Sequence, residues 1–296
     1  MHVPQGHVIG NIRSGFWRRL YRAITLRSDD QALSLVDTNI LEEEDHWENI
    51  STEQFLWPNE EACGFIFIHG YNVSFEESAI RTAQLSYDLQ VRGPVTFFSW
   101  PSKGTLVGYP SDESAIEASE EAIATYLLDF TEMSGLKRVH VIAHSMGNRG
   151  LLRALQRIVA KGNAAADAPK LFEHFILAAP DVDQSLFLSL ADHYARVARR
   201  TTLYVSDKDL ALASSRMLRT GMARAGLTPP ITIAPHIDTV QVANVDMTLL
   251  GHGYVAEARG VLTDMHQLIY QDAAPNERMG LRPAEENGNP YWIIGA

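Results

Sequence analysis

A serine, then an acid, then a histidine, with amides placed beside the serine, is enough to carry out acyl transfer. This 296-residue chain holds all of these groups in that order. Ser145 lies in the run VHVIAHSMGN, Val139 to Asn148. An apolar β-type stretch there meets a serine between small residues and switches at once to helical spacing. That pattern suits a sharp strand-to-helix turn that lifts a serine hydroxyl above a sheet. Strand and helix backbones approach closely at such a turn, so its flanking positions must be small; here they are Ala143 and Gly147.

The partners a nucleophilic serine needs follow at the ends of later apolar runs. LYVSDKDLALAS carries Asp207 and Asp209 just past its β-type part. An acid there orients a histidine and stabilises its charged form. Asp209 also directly precedes a helical pattern, so helix capping is an equal account of it. Asp181 and Asp183, after the preceding strand, are weaker candidates. Gly251-His252-Gly253 is the expected base, in a loop before the last helix, while His236 and His266 are poorly placed to reach the same edge. FIFIHG ends in a glycine that lets the chain turn and leaves N–H groups for an oxyanion. The Tyr71 and Met146 amides are the expected donors. His140 and His144 read as packing or locally bonded residues, with His144 also a candidate substrate contact. His174 and His193 read as surface or helix residues.

These residues need a scaffold. The expected strands are Phe65–His69, Val95–Trp100, Val139–His144, Phe172–Ala179, Thr201–Ser206 and Thr239–Ala243. Their near-continuous apolar character suits buried parallel strands. Ile116, Ile123, Leu127 and Phe130 share a helical face, as do Phe187, Leu190, Tyr194 and Val197, and also Val261, Met265 and Leu268. Strict β-α alternation implies an α/β fold, with a mostly parallel sheet covered by helices on both faces. Ligands then sit beyond the carboxyl ends of the strands. The few residues between Asp181 and a helix near Ser185 leave no room for a large cap. A loop from Pro101 to Ser111 is left as the expected rim, with Leu106 and Tyr109 shaping an acyl pocket.

Composition is that of an ordinary globular protein, 46% hydrophobic and 21% charged. A formal net charge of −11 argues against nucleic acid as a partner. The lone Cys63 excludes an intrachain disulfide and reads as a buried, inert thiol. No metal-binding or nucleotide-binding motif is present, so no cofactor is expected. No secretory signal or membrane-spanning run stands out, which gives a cytoplasmic protein without stable membrane insertion as the expectation. Residues 1–60 read as an N-terminal extension and 61–296 as the catalytic domain. The extension pairs an arginine-rich amphipathic stretch, Phe16 to Ile24, with an acidic block from Asp37 to Glu61. The stretch is expected to dock on its own domain, or else to meet a second copy and form a homo-oligomer.

Several long blocks resemble a bacterial α/β-hydrolase family of unknown function, of the esterase/lipase-superfamily type. They run from about Phe65 to Trp292: FIHGYNVSFEES, FFSWPSKG with GYPSDE, VHVIAHSMGNRGLLRAL, LAAPDVD, TLYVSDKDLAL, LLGHGY and ERMGLRP…YW. The resemblance implies an α/β-hydrolase fold with Ser145 as nucleophile, Asp209 as acid, His252 as base, and Tyr71 and Met146 at the oxyanion hole. It favours Asp209 over Asp207 because the family's acid matches the first residue of the D-x-A-L segment. Hydrolysis of small, short-chain carboxylic esters through an acyl-enzyme is the expected reaction. An acyltransferase using the same triad, and a non-catalytic interaction module on a hydrolase scaffold, are the alternatives.

Overall fold

A computed structural model of the chain describes residues 9, 35–57, 61–105, 108–164, 169–209, 212–213, 215–216, 221–243 and 259–295. The Phe16–Ile24 stretch, Leu106 and His252 lie outside the described residues. Eight strands form one sheet: β1 (Gly64–Ile68), β2 (Val95–Phe98), β3 (Val139–His144), β4 (Phe172–Ala178), β5 (Ala198–Val205), β6 (Ile237–Val242), β7 (Arg282–Glu286) and β8 (Asn289–Ile294). Their spatial order is β2-β1-β3-β4-β5-β6-β8-β7. Every neighbouring pair is parallel except the hairpin β7–β8. The expected α/β architecture is what the chain adopts, and all six expected strands are present.

The helices are α1 (Glu43–Glu53), α2 (Phe75–Asp88), α3 (Tyr109–Ala118), α4 (Glu120–Met133), α5 (Gly147–Ala160), α6 (Gln184–Leu190), α7 (Asp192–Val197) and α8 (Arg259–Gln271). Alternate residues of β1 point to opposite faces, as the pleat requires. Ile66 and Ile68 pack with α4, α5 and α7, while Phe65 and Phe67 pack with α2 and α8. Both faces of the sheet are therefore dry, which is why its strands read as unbroken apolar runs. Within the acidic block, Glu43, Glu44 and Asp45 occupy the first turn of α1, where the helix dipole favours negative charge. Trp47 and Ile50 of α1 are buried in the same core as α4, with the Trp47 ring 5.7 Å from that of Tyr126.

Three local expectations need correction. The face shared by Ile116, Ile123, Leu127 and Phe130 belongs to two helices, not one: α3 ends and α4 begins at Ser119. The Ser119 hydroxyl donates to the Ala115 carbonyl at 2.8 Å, a side-chain bond that competes with the helical ladder. Two strands follow α8 where none was expected. Their turn is Asn287-Gly288, both at positive φ (54° and 80°), the requirement of a tight two-residue hairpin. His174 is not at the surface but wholly buried in β4.

His174 stands opposite His140 of β3 in register, with ring centroids 5.0 Å apart, near the amino ends of the strands. His174 Nε2 meets Asp272 at 2.9 Å, whereas neither ring nitrogen of His140 has a partner among the described residues. Burial holds His140 well below the ordinary histidine value of 6.5, helped by His174 and Arg138. Burial also lowers His174 to about 4, although Asp272 opposes the shift and Arg200 and Arg138 add to it. The folded state thus holds these rings neutral while the unfolded chain binds protons near pH 6.5. Their contribution is fully present above that pH and is lost as pH falls toward about 4 and below. Urea unfolding at pH 7, 6, 5 and 4 should show a falling midpoint, and His140→Leu should flatten the fall.

Candidate active site

Ser145 sits between the end of β3 and the start of α5 with φ of +53°, a strained value for a residue with a side chain. Tertiary contacts hold that strain. The Ser145 amide donates to the Ala178 carbonyl at 2.9 Å, and its carbonyl accepts from the Asp181 amide at 3.1 Å. The buried Asn148 side chain donates to the carbonyls of Ala143, Ser145 and Ala178, lacing β3, the turn and the end of β4 together. Glycine at 147 is obligatory, because a Cβ there would lie 2.5 Å from the His69 carbonyl oxygen and 2.7 Å from that of Ile68.

The oxyanion loop leaves β1 beside this turn. A Cβ on Gly70 would lie 2.7 Å from the Ser145 Cβ and 3.0 Å from His144 Nδ1, so the loop passes directly over the serine. His69 is buried, its ring stacked on Trp100 at 4.9 Å, and the Trp100 indole donates to the His69 carbonyl at 2.8 Å. His69 Nδ1 is 2.9 Å from the Gly70 carbonyl oxygen, so Nδ1 carries the proton and donates. Burial lowers the His69 pKa and favours this neutral form. Gly70 C=O and Tyr71 N–H share one planar peptide, so this bond sets the direction of the Tyr71 amide. The Met146 amide, at the head of α5, meets no acceptor among the described residues.

A second carboxylate pins this loop from outside. Asp112, buried at the start of α3, accepts from the Ser102 hydroxyl at 2.6 Å, the Lys103 amide at 2.7 Å and the Asn72 amide at 3.4 Å. The Tyr71 hydroxyl donates to the Thr105 carbonyl at 3.0 Å. The oxyanion loop and the 101–105 loop are thereby one unit. Asp112 had not been singled out in the sequence, although it lies within the GYPSDE block.

Of the two acids after β5, Asp209 is buried at 1% exposure and Asp207 is exposed. Asp209 Oδ1 accepts from the Leu212 amide at 2.9 Å, and its carbonyl accepts from the Ala213 amide. It therefore caps the helical turn that follows it. Tyr109 is nearly buried, and its hydroxyl donates to Asp181 Oδ2 at 2.8 Å and lies 2.9 Å from Ser215 Oγ. Its ring packs T-shaped with that of Tyr71, centroids 5.2 Å apart. His144, half-buried at the end of β3, lies beside Gly70. Only five residues, 179–183, separate β4 from α6, with Asp183 capping α6 through the Leu186 amide. No cap is inserted there.

Among the described residues, one group has its donor atoms close enough to hold a metal ion: Glu173, His174 and Asp272. It lies at the opposite end of the sheet, and Arg199 and Arg200 already pair with its carboxylates. No helix among the described residues is long and apolar enough to cross a membrane.

The family of alpha/beta hydrolases of unknown function, DUF900, matches residues 49–271. The chain belongs to that family. Its match begins inside α1, upstream of the block at which the resemblance starts. No curated protein is significantly similar. Similar solved structures include an esterase from Pyrobaculum calidifontis, with 12% identity, TM-score 0.41, 73% of this chain and 79% of the other. A dienelactone hydrolase from Anabaena variabilis gives 17%, 0.42, 72% and 86%. A phospholipase from Legionella pneumophila gives 11%, 0.43, 79% and 67%.

The close approach at the elbow predicts the effect of one methyl group. Gly147→Ala drives a Cβ into backbone that cannot rotate away. It should cost about 2 kcal/mol or more, roughly 5 °C in melting temperature, and should displace Ser145. Differential scanning calorimetry checks this, with Gly260→Ala in α8 as the control, where a Cβ would meet only ordinary contact, 3.8 Å from the Ile294 side chain.

Proposed function

We propose that the protein is a serine hydrolase of carboxylic esters, with Ser145 as nucleophile, Asp209 as acid, His252 as base, and the Tyr71 and Met146 amides as oxyanion donors. The observation that carries this reading is the positive-φ serine between β3 and α5, with the glycine-led loop after β1 lying against it. A serine held in that strained conformation has no structural need to be there. The burial of Asp209 past the carboxyl end of β5 favours it over Asp207. His252 lies in the sequence between β6 and α8, which keeps the chain order serine, acid, histidine.

In the first step His252 takes the Ser145 proton and the serine oxygen attacks the ester carbonyl. The two amides hold the negative oxygen of the tetrahedral intermediate. His252 then protonates the departing alcohol. Water, deprotonated by the same imidazole, attacks the acyl-enzyme and releases the acid. Asp209 keeps the imidazole oriented and stabilises its cationic form. The uncapped edge after β4 favours small, short-chain esters.

Ser145→Ala should lower p-nitrophenyl acetate turnover by a factor on the order of 10⁴ or more and abolish fluorophosphonate labelling, with the melting temperature retained. Wild-type turnover by this variant would overturn the assignment. In a series of p-nitrophenyl esters, kcat/KM should fall with acyl length. An optimum above about ten carbons would contradict an open, uncapped pocket.

A further inference from the structure

We propose that Asp181 is a positioning residue. Anchored by its amide to the nucleophile turn, its carboxylate holds the side chains that support the oxyanion loop and the segment after the acid, and so sets the rate of the acylation step without touching substrate. This rests on the serine-hydrolase reading above.

Asp181 follows β4 and is 4% exposed. Its amide donates to the Ser145 carbonyl at 3.1 Å, which joins it to the nucleophile turn. Oδ2 accepts from the Tyr109 hydroxyl at 2.8 Å. The Tyr109 ring packs T-shaped with the Tyr71 ring at 5.2 Å, and Tyr71 follows the glycine lying on the Ser145 Cβ. Oδ1 accepts from the Ser215 hydroxyl at 2.7 Å. Ser215 stands on the helical turn that Asp209 caps. The Asp181 amide thus meets the nucleophile turn, and its carboxylate meets the side chain under Tyr71 and the segment that follows Asp209.

The chemistry of the group explains the choice. A carboxylate accepts at both oxygens, so it can hold two hydroxyls at once. An asparagine keeps only one purely accepting oxygen, so one hydroxyl would have to turn its proton away and accept from the N–H₂, and the negative charge would be lost. The charge is compensated in place by the buried Arg224, whose Nε lies 3.3 Å from Oδ1. Arg224 is held by a short backbone ladder between 223–227 and 180–184, which includes bonds from Ala225 to the Val182 carbonyl and from Gln184 to the Ala223 carbonyl. Removing the carboxylate alone leaves that guanidinium buried without its counter-charge. Asp181, a weaker candidate for the acid in the sequence, spends both its oxygens on these hydroxyls.

The test uses the full chain and a fluorophosphonate probe, which separates binding from bond formation and needs no natural substrate. Asp181→Asn, Asp181→Asn with Arg224→Met, Tyr109→Phe and Ser215→Ala are each compared with wild type and with Ser145→Ala. Tyr109→Phe keeps the ring on Tyr71 and removes only the hydroxyl. It should slow the saturating rate of labelling about tenfold, equivalent to one lost hydrogen bond, with apparent affinity changed less than twofold. Either Asp181 variant should slow it by about a hundredfold. Adding Ser215→Ala to Tyr109→Phe should cost less than the product of the single effects, because both act through one carboxylate. Wild-type labelling rates in folded Tyr109→Phe and Ser215→Ala would overturn the proposal, whatever the folding of the Asp181 variants. So would a loss confined to apparent affinity, which would mark a substrate contact instead. Undiminished labelling of Ser145→Ala would overturn the serine-hydrolase reading itself and the proposal with it.

Discussion

Backbone meets backbone at the end of β3 with no room for side chains, and the remaining architecture is arranged to permit it. Gly147 must pass within contact of the His69 and Ile68 carbonyls, and Gly70 must lie on Ser145. That approach is possible only because β1, β3 and β4 are parallel neighbours in register, so their carboxyl ends finish together. It also holds the serine at positive φ, where its own conformational preference would not keep it. Asn148 spends its side-chain amide on three carbonyls of this junction, and the dry core on both sheet faces keeps the strands from shifting.

Around this junction, buried side chains replace the role a cap would otherwise have in shaping the edge. His69 orients the peptide that carries the Tyr71 amide, Asp112 fixes the flanking loop, and Asp181 gathers Tyr109, Ser215 and Arg224. Each is a polar group removed from water and given partners, which makes its geometry exact in a way exposed contacts are not. The opposite end of the sheet is built differently. There the His140–His174 pair is neutral and His140 has no hydrogen-bond partner among the described residues, a cost accepted far from the chemistry.

Much of this was legible along the chain. Doubly covered strands must be apolar throughout, so the six parallel strands announced themselves, and a serine between Ala143 and Gly147 at a strand-helix switch announced the turn. The Asn287-Gly288 hairpin also carried a local signal, but the edge strand β7 is mostly exposed and charged and β8 beside it is short and only partly buried, so neither shows the fully buried apolar pattern of the rest. The break at Ser119 and the burial of His174 were not visible, because each depends on what packs against the residue. Tyr109 read as a pocket residue from its place in a loop; its hydroxyl turned out to face Asp181, 72 positions away.

By itself, then, the sequence determined the alternation of elements, the chain order of Ser145, Asp209 and His252, and the small residues that the turn demands. Those are properties of local pattern, because periodicity and steric size act between residues close in the chain. Only the tertiary structure decided that Asp209 is buried while Asp207 is exposed, that Asp112 and Asp181 accept hydrogen bonds from neighbouring loops, and that His69 bonds the peptide carrying the Tyr71 amide. Such roles belong to a carboxylate or an imidazole only through its partners. The hydroxyls on the Asp181 carboxylate come from 34 and 72 residues away and the indole stacked on His69 from 31 away, brought together where parallel strands end side by side.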